Sequence, residues 1–515
     1  MVILGQVENN MNKTVGIVGA GFAGVSAAKI LKSFGFDVTI FEKEADVGGV
    51  WSASRRYPGL TTQNPRDSYA LSDFPMPKSW PEWPFGEQVQ GYIEDYTKHF
   101  GFADDIFLNT TVTNAKLNSE SETWTVSAQR VTDGDTESIV KTFDLLIVAN
   151  GIFSIPFISP FKGADDFQSA GGEILHTSQF NDPEFSRDKN VLVVGYGKSS
   201  CDVANATVGV SKSTTMVVRN LIWKIPKLIG NVLNLKYIFQ TRLSEAIFPY
   251  IRMTRFEKFL HGPGLFLRNG MMDTIEWIIQ RQLKLREVGL HPEKKLETIS
   301  RSTISMVTPG FFEHIAEGKL KVNKGVEIVA LRPGEADLSN GETVPVDTIV
   351  CGTGWQQIVP FLEEDVMAMV TDKEGNFRLY KSILPIGVPG LFFNGYNSSF
   401  FSQLNAEIGA LWLTEYILGG IELPPEETMN KWIDERLKWM KERTDGKHSK
   451  GTNIIPFSVH QMDELLQDID LELSALKRFS QWFVPITGKD FESLTGRLLA
   501  RHGVVPHATG AISEP

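Results

Sequence analysis

Residues 14–31 read TVGIVGAGFAGVSAAKIL. Thr14 to Val18 is an apolar, β-branched run that predicts a strand, and the Ala-rich stretch behind Gly24 has the apolar spacing of a helix. Between them stands Gly19-Ala20-Gly21-Phe22-Ala23-Gly24, a GxGxxG turn. Gly19 permits the tight turn, Gly21 lets the backbone approach a pyrophosphate, and Gly24 lets the helix lie close on the strand. The phosphates then meet the helix N-terminus, where free N–H groups and the dipole favour negative charge. A second strand, Asp37 to Phe41, ends in Glu42, eighteen residues after Gly24, where a carboxylate binds the ribose hydroxyls of an adenine dinucleotide.

The pattern recurs at 190–204, NVLVVGYGKSSCDVA. Gly195 and Gly197 take the parts of the first two glycines, and Ser200 stands third, small enough for close helix packing. The following strand, Thr214 to Val218, ends in Arg219. A carboxylate there would repel the 2′-phosphate of NADP, whereas a guanidinium donates charge-assisted hydrogen bonds to it. The first cradle therefore reads as an FAD site. The second reads as an NADPH site contacted by Gly195, Gly197, Lys198, Ser199, Ser200 and Arg219. A solvated strand-end arginine and a solvent-facing Lys198 are the plain alternatives.

Asp144–Gly151 and Asp347–Trp355 each run from a buried strand into a glycine turn, one on each side of the second cradle. They read as crossings between two dinucleotide domains. The expected fold is α/β, with two Rossmann-like domains and the NADPH domain inserted into the FAD domain. The expected FAD domain is 1–155 and 330–515, and the expected NADPH domain is 156–329. The latter contains a helical insert at about 228–295, rich in Phe, Leu, Ile and Trp. Core packing, a substrate-side wall, a dimer surface and a membrane-touching patch all stay open for that insert.

Composition narrows the function. A net charge of −11 argues against nucleic acid, which needs a clustered basic surface. Cys201 and Cys351 are the two cysteines, too few for a disulfide framework or a CxxC redox pair, so a disulfide reductase is disfavoured and a reducing cytosol is expected. None of the nine histidines forms an HxxxH or HExxH pair, so no metal site is expected. The first ten residues carry no basic segment leading into an apolar one, and no strongly apolar run reaches membrane-span length, so neither secretion nor a transmembrane segment is expected.

Further motifs resemble those of the flavin-containing monooxygenases, over roughly Lys13 to Glu426. Phe41-Glu42 leading into Gly48-Gly49-Val50-Trp51 resembles that family's ribose acid and flavin loop, with Gly49 and Trp51 at the flavin. Thr61-Thr62-Gln63-Asn64-Pro65 followed by Asp73-Phe74-Pro75 is similar to its catalytic-asparagine segment, and either Gln63 or Asn64 takes the asparagine's part beside flavin N5. Gly172, His176 and Phe180 keep the spacing of the FxGxxxHxxx(Y/F) fingerprint, with Ala170 in the aromatic's place. Phe392–Tyr396 and Ala406–Trp412 resemble the segment returning under the flavin, which places Glu407 at the cofactor; Gly409 stands where relatives often have Gln.

The resemblance implies an FAD-dependent, NADPH-consuming monooxygenase that oxygenates a small molecule with O2 through a flavin C4a-hydroperoxide. Nitrogen or sulfur is the favoured acceptor, since Phe180 stands where Baeyer-Villiger relatives carry Trp. Ketone or aldehyde oxygenation and a non-turnover regulatory flavoprotein remain the alternatives. A homo-oligomer stays open.

Overall fold

The computed structural model describes residues 13–301, 305–444, 446 and 450–504. The expectation about the first ten residues, and the end of the expected FAD domain past Val504, lie outside the described residues.

Two parallel five-stranded sheets organise the chain. The first has the order Leu391–Phe393, Leu145–Val148, Thr14–Val18, Asp37–Phe41, Ile106–Phe107. The second has the order Leu320–Lys324, Ser213–Val218, Asn190–Val194, Thr348–Cys351, Glu173–His176. In each, the strand feeding the glycine turn is central and the strand order reverses across it, which opens a crevice at its carboxyl end. Phe22–Ser33 and Lys198–Thr207 are the cradle helices that follow. Their strands are buried, apolar runs because helices cover parallel sheets on both faces.

The second sheet takes a strand from Thr348–Cys351, beyond residue 329, where the expected inserted domain ends. Val191↔Thr348 through Val194↔Cys351 pair in register, so the chain leaves this sheet only at Gly352-Thr353-Gly354. The return crossing at Asp347–Trp355, and not residue 330, marks where the sheet ends. The outward and return crossings lie side by side, Ile155–Pro156 pairing antiparallel with Trp355–Gln356.

The insert opens with a short hairpin, Leu228–Ile229 with Leu233–Asn234, and continues as helices, the longest being Leu265–Gln282. Its inward side chains, Ile247, Phe248 and Ile279 among them, join the core of the second sheet. Phe266 is 70% exposed and Trp277 is 56% exposed, so the insert divides between core packing and open surface. Its helices Arg242–Ala246 and Arg255–Leu260 are bolted to the later helix Ser458–Asp468. There the His460 ring bonds Glu245 on one nitrogen and Glu257 on the other, each at 2.8 Å. Burial alone would lower the His460 pKa, but the two carboxylates outweigh it and raise it to about 10, which keeps the ring charged at neutral pH.

No helix among the described residues is long and apolar enough to cross a membrane. Cys201 and Cys351 are both buried and free. Burial pushes both thiols up, Cys351 to about 12.

A buried polar knot ties the first cradle helix to the helix Ser402–Ile417. Lys29 of the cradle helix pairs with Asp73, and Glu407 accepts from Ser72 N–H (2.9 Å) and Ser72 Oγ–H (2.6 Å). Burial, then the Asp73 charge, raises Glu407 to about 7. The folded protein thus keeps a proton that the unfolded chain releases from 4.5 upward, so stability falls as pH rises through that window. In thermal melts from about pH 5 to about pH 8, the parent Tm should fall, and Glu407→Gln should give a flatter profile. Parallel profiles would show that Glu407 is ionised throughout.

Candidate flavin and dinucleotide sites

In the first cradle each glycine has a separate reason. Gly19 sits at φ +109°, and a methyl there would lie 2.5 Å from the Ala149 carbonyl oxygen. A methyl at Gly24 would lie 1.8 Å from the Gly19 carbonyl oxygen, so helix and strand touch backbone to backbone. Gly21 is different, because a methyl there meets nothing closer than Gly49 Cα at 3.6 Å. The protein's own packing does not demand glycine at 21. The space it leaves belongs to a ligand.

The flavin loop hangs on this turn through Gly48 N–H donating to Ala20 O (3.0 Å), and Gly49, at φ +61°, faces Gly21. Trp51 is buried, edge-on to Tyr69 at 5.6 Å. Glu42 is buried at the end of its strand and accepts from Ala20 N–H (2.7 Å) and Glu44 N–H (3.0 Å). Burial raises its pKa. Each oxygen carries one of these bonds, and a carboxylate has about four acceptor positions, so lone pairs remain for ribose hydroxyls.

The two candidate amides separate cleanly. Asn64 is buried and its amide N–H donates to the Phe400 carbonyl, whereas Gln63 is exposed. The two segments that this contact joins carry buried oxygens with no protein partner: Thr62 Oγ1 on one, and Asn397 Oδ1, Gln403 Oε1 and Asn405 Oδ1 on the other. A buried polar atom left dry costs about 1–3 kcal/mol, a cost that a polar ring carrying its own donors and acceptors removes. These residues fit FAD. Neither Asn397 nor Gln403 is picked out by the sequence reading, because the run 391–413 also carries Asn394 and Asn405 and nothing in the order of residues separates the four amides.

Glu407, expected at the cofactor, accepts one bond from Ser72 on each of its oxygens and so shapes the Asp-Phe-Pro turn. Gly409 faces Asn394, whose amide donates to Ala23 O of the first cradle at 2.8 Å.

In the second cradle Gly195 is at φ +112°, and a methyl on Gly197 would meet nothing within 4 Å, again leaving space for phosphate. Ser200 is wholly buried, and its Oγ lies 1.9 Å from where a methyl on Gly352 would sit. Ser200 therefore packs the helix on the strand. Ser199 is half-buried in the helix's first turn. Lys198 is not solvent-facing: its ammonium donates to both oxygens of buried Asp202, one at 2.6 Å. Arg219 is 75% exposed, with one loose contact to Glu327 at 3.4 Å. An exposed pair of that kind is worth little, so the guanidinium is free to reach a ligand.

His176, expected at the cofactor, is buried at the end of the edge strand and engaged on both nitrogens. Nδ1 accepts from Ser178 N–H (3.2 Å) and Nε2 donates to Gly354 O (3.0 Å). Burial lowers its pKa, which favours this neutral tautomer. The Trp355 ring stands edge-on at 4.7 Å, and the Arg55 guanidinium lies 4.8 Å over Trp355 while donating to Phe153 O at 2.6 Å. His176 thus pins the return crossing, and Arg55 straps the flavin loop to both crossings. Among the described residues no His, Cys, Asp and Glu gather as a metal site.

Two parallel sheets, a phosphate turn at each central strand and paired glycine crossings define a two-dinucleotide flavoprotein. The family described as flavin-binding monooxygenase-like matches residues 12–478, and the chain belongs to it. The chain is 26% identical over 450 residues to flavin-containing monooxygenase 1 of Rattus norvegicus, covering 83% of this chain and 78% of the relative. Its fold is similar to that of S-allyl-L-cysteine S-oxygenase from Allium sativum, with TM-score 0.62, 19% identity, and 96% and 98% of the two chains covered. It is also similar to the OTEMO complex with FAD and NADP, with TM-score 0.69, 18% identity, and 88% and 97% covered. The protein is an FAD-dependent monooxygenase that consumes NADPH.

The glycines separate folding from binding. Gly24→Ala should cost about 1–3 kcal/mol or more by overpacking, seen as a lower Tm. Gly197→Ala should leave the Tm within about a degree, as expected at a site free of protein contacts, while weakening NADPH binding in titration. Equal Tm losses in the two variants would contradict this division.

Proposed function

We propose that this enzyme transfers one atom of O2 to a soft nitrogen or sulfur nucleophile of a small molecule, with Asn64 as the amide beside the reacting end of the flavin. The observation that carries it is the buried Asn64 side chain, fixed by Phe400 amid dry acceptors next to the first cradle. FAD, reduced by NADPH, supplies the oxygen-activating chemistry when bound. The chain's own work is to hold the phosphates on the two helix N-termini, the ribose on Glu42 and the 2′-phosphate on Arg219, and to keep water from the reacting end. The preference for a nitrogen or sulfur acceptor draws support from the likeness to the Allium sativum S-oxygenase over nearly the whole chain and from Phe180 at the end of the fingerprint. The dinucleotide domains are proposed to exchange the chain at 149–156 and 352–356, and two buried, unpaired cysteines support a cytosolic enzyme. The test is conversion of a simple aryl sulfide and a tertiary amine under isotopically labelled O2. Label-free products, or NADPH oxidation without product from either probe, would overturn the reading.

Asn64→Ala should leave NADPH-driven flavin reduction within about two-fold of the parent but divert reducing equivalents to hydrogen peroxide, while Gln63→Ala should stay coupled. Peroxide release and product formation, measured together, check this. An uncoupled Gln63→Ala beside a coupled Asn64→Ala would reverse the assignment.

Arg219 should set coenzyme choice. A hydrogen bond to a charged group is worth about 1.5–3 kcal/mol, so Arg219→Ala should lower kcat/KM for NADPH by roughly 10- to 150-fold and leave NADH nearly unchanged. A ratio that does not fall would move the 2′-phosphate to Lys198, freed from Asp202.

A further inference from the structure

We propose that Gln403 is a flavin-binding residue of this chain, its side-chain carbonyl accepting the N3–H of the isoalloxazine pyrimidine ring. The proposal deepens the reading of the first cradle as the FAD site and rests on it.

Gln403 is the second residue of the helix Ser402–Ile417, whose N-cap position, Phe401, offers no side-chain cap. It is 6% exposed, and its Oε1 has no hydrogen-bond partner in the protein. Its neighbours are those of the flavin loop: the Tyr69 hydroxyl meets the side chains of both Gln403 and Trp51. The Tyr69 ring stands edge-on to Trp51 at 5.6 Å and to Phe22, inside the GxGxxG turn, at 5.5 Å. Four residues on, and so on the same helix face, Glu407 holds Ser72. That face of the helix is therefore turned to the 61–76 segment, and Gln403 occupies its end nearest Asn64, whose amide reaches Phe400 three residues before it.

The chemistry selects the ligand atom. A buried amide oxygen without a donor destabilises the fold, and it is kept where a ligand supplies the missing N–H. The oxidised isoalloxazine carries a single N–H, at N3, flanked by the C2 and C4 carbonyls. An acceptor from Gln403 complements that N–H, and the uncapped first turn of the helix offers N–H donors to the flanking carbonyls. Asn397 Oδ1 and Asn405 Oδ1 are further dry amide oxygens of this stretch, and Asn397 serves as the internal control.

The test is exchange of the FAD in the holoenzyme against excess FAD or 3-methyl-FAD, followed by flavin fluorescence. The methylated ring keeps every acceptor and loses the N3–H. The parent should prefer FAD over 3-methyl-FAD by about 10-fold or more, the worth of one buried hydrogen bond with its acceptor left dry. Gln403→Leu should bind FAD more weakly and bring the preference to within about two-fold, whereas Asn397→Leu should retain it. A parent that takes both flavins equally would overturn the proposal without recourse to any variant. So would full discrimination in Gln403→Leu, or its loss in Asn397→Leu alone. Should Gln403→Leu not fold, Gln403→Glu, which keeps a carbonyl acceptor, must still discriminate. A parent that carries no FAD would instead remove the reading of the first cradle itself.

Discussion

The structure depends on one steric constraint, met twice: a helix packed so closely on its sheet that a glycine must stand at the contact. At the first cradle the Gly24 backbone sits over the Gly19 carbonyl, and at the second Ser200 fills the gap left by Gly352. Close contact brings the first turn of each helix over the carboxyl end of its sheet's central strand, where the N–H groups converge. Everything chemical in the protein is arranged around those two points. Glu42 and Arg219 close the next strand along, and the flavin loop hangs from Ala20.

The same constraint explains why so much was legible in the amino-acid order. A glycine demanded by contact with residues a few positions away leaves a local signature, so both cradles, their strands and the charge at each strand end could be read directly. Asn64 against Gln63 could not, because which amide turns inward depends on Phe400, distant in sequence. His176 keeps its spacing, but Gly354, Trp355 and Arg55 fix its task, and these meet it only in three dimensions. Glu407 stands where a flavin contact is expected, and its bonds to Ser72, distant in sequence, could not be read from the order of residues. Thr348–Cys351 reads as a buried strand, but its sheet is chosen by non-local pairing with Asn190–Val194, which carries the inserted unit past residue 329. Gln403 and Asn397 gain meaning only once burial leaves their oxygens dry.

Beyond the cradles, the two halves are held by contrasting devices. At the crossings a neutral imidazole, an indole and a guanidinium stack across short backbone spans. On the far side, a charged imidazole between two carboxylates joins the insert to the helix Ser458–Asp468, and Arg242 adds a pair with Asp463. Removing one partner of such a buried ionic group costs more than the group contributes to folding, so it specifies an arrangement more than it stabilises one.

The two thiols carry a last consequence. An enzyme that reduces O2 leaks oxidant beside its own polypeptide, and the oxidisable form of cysteine is the thiolate. With its pKa at about 12, Cys351 is ionised to roughly one part in a hundred thousand at neutral pH, and Cys201 is buried with its pKa also raised. The two thiols are thus chemically quiet toward that by-product. The durability of the catalyst over many cycles is not set by its cysteines.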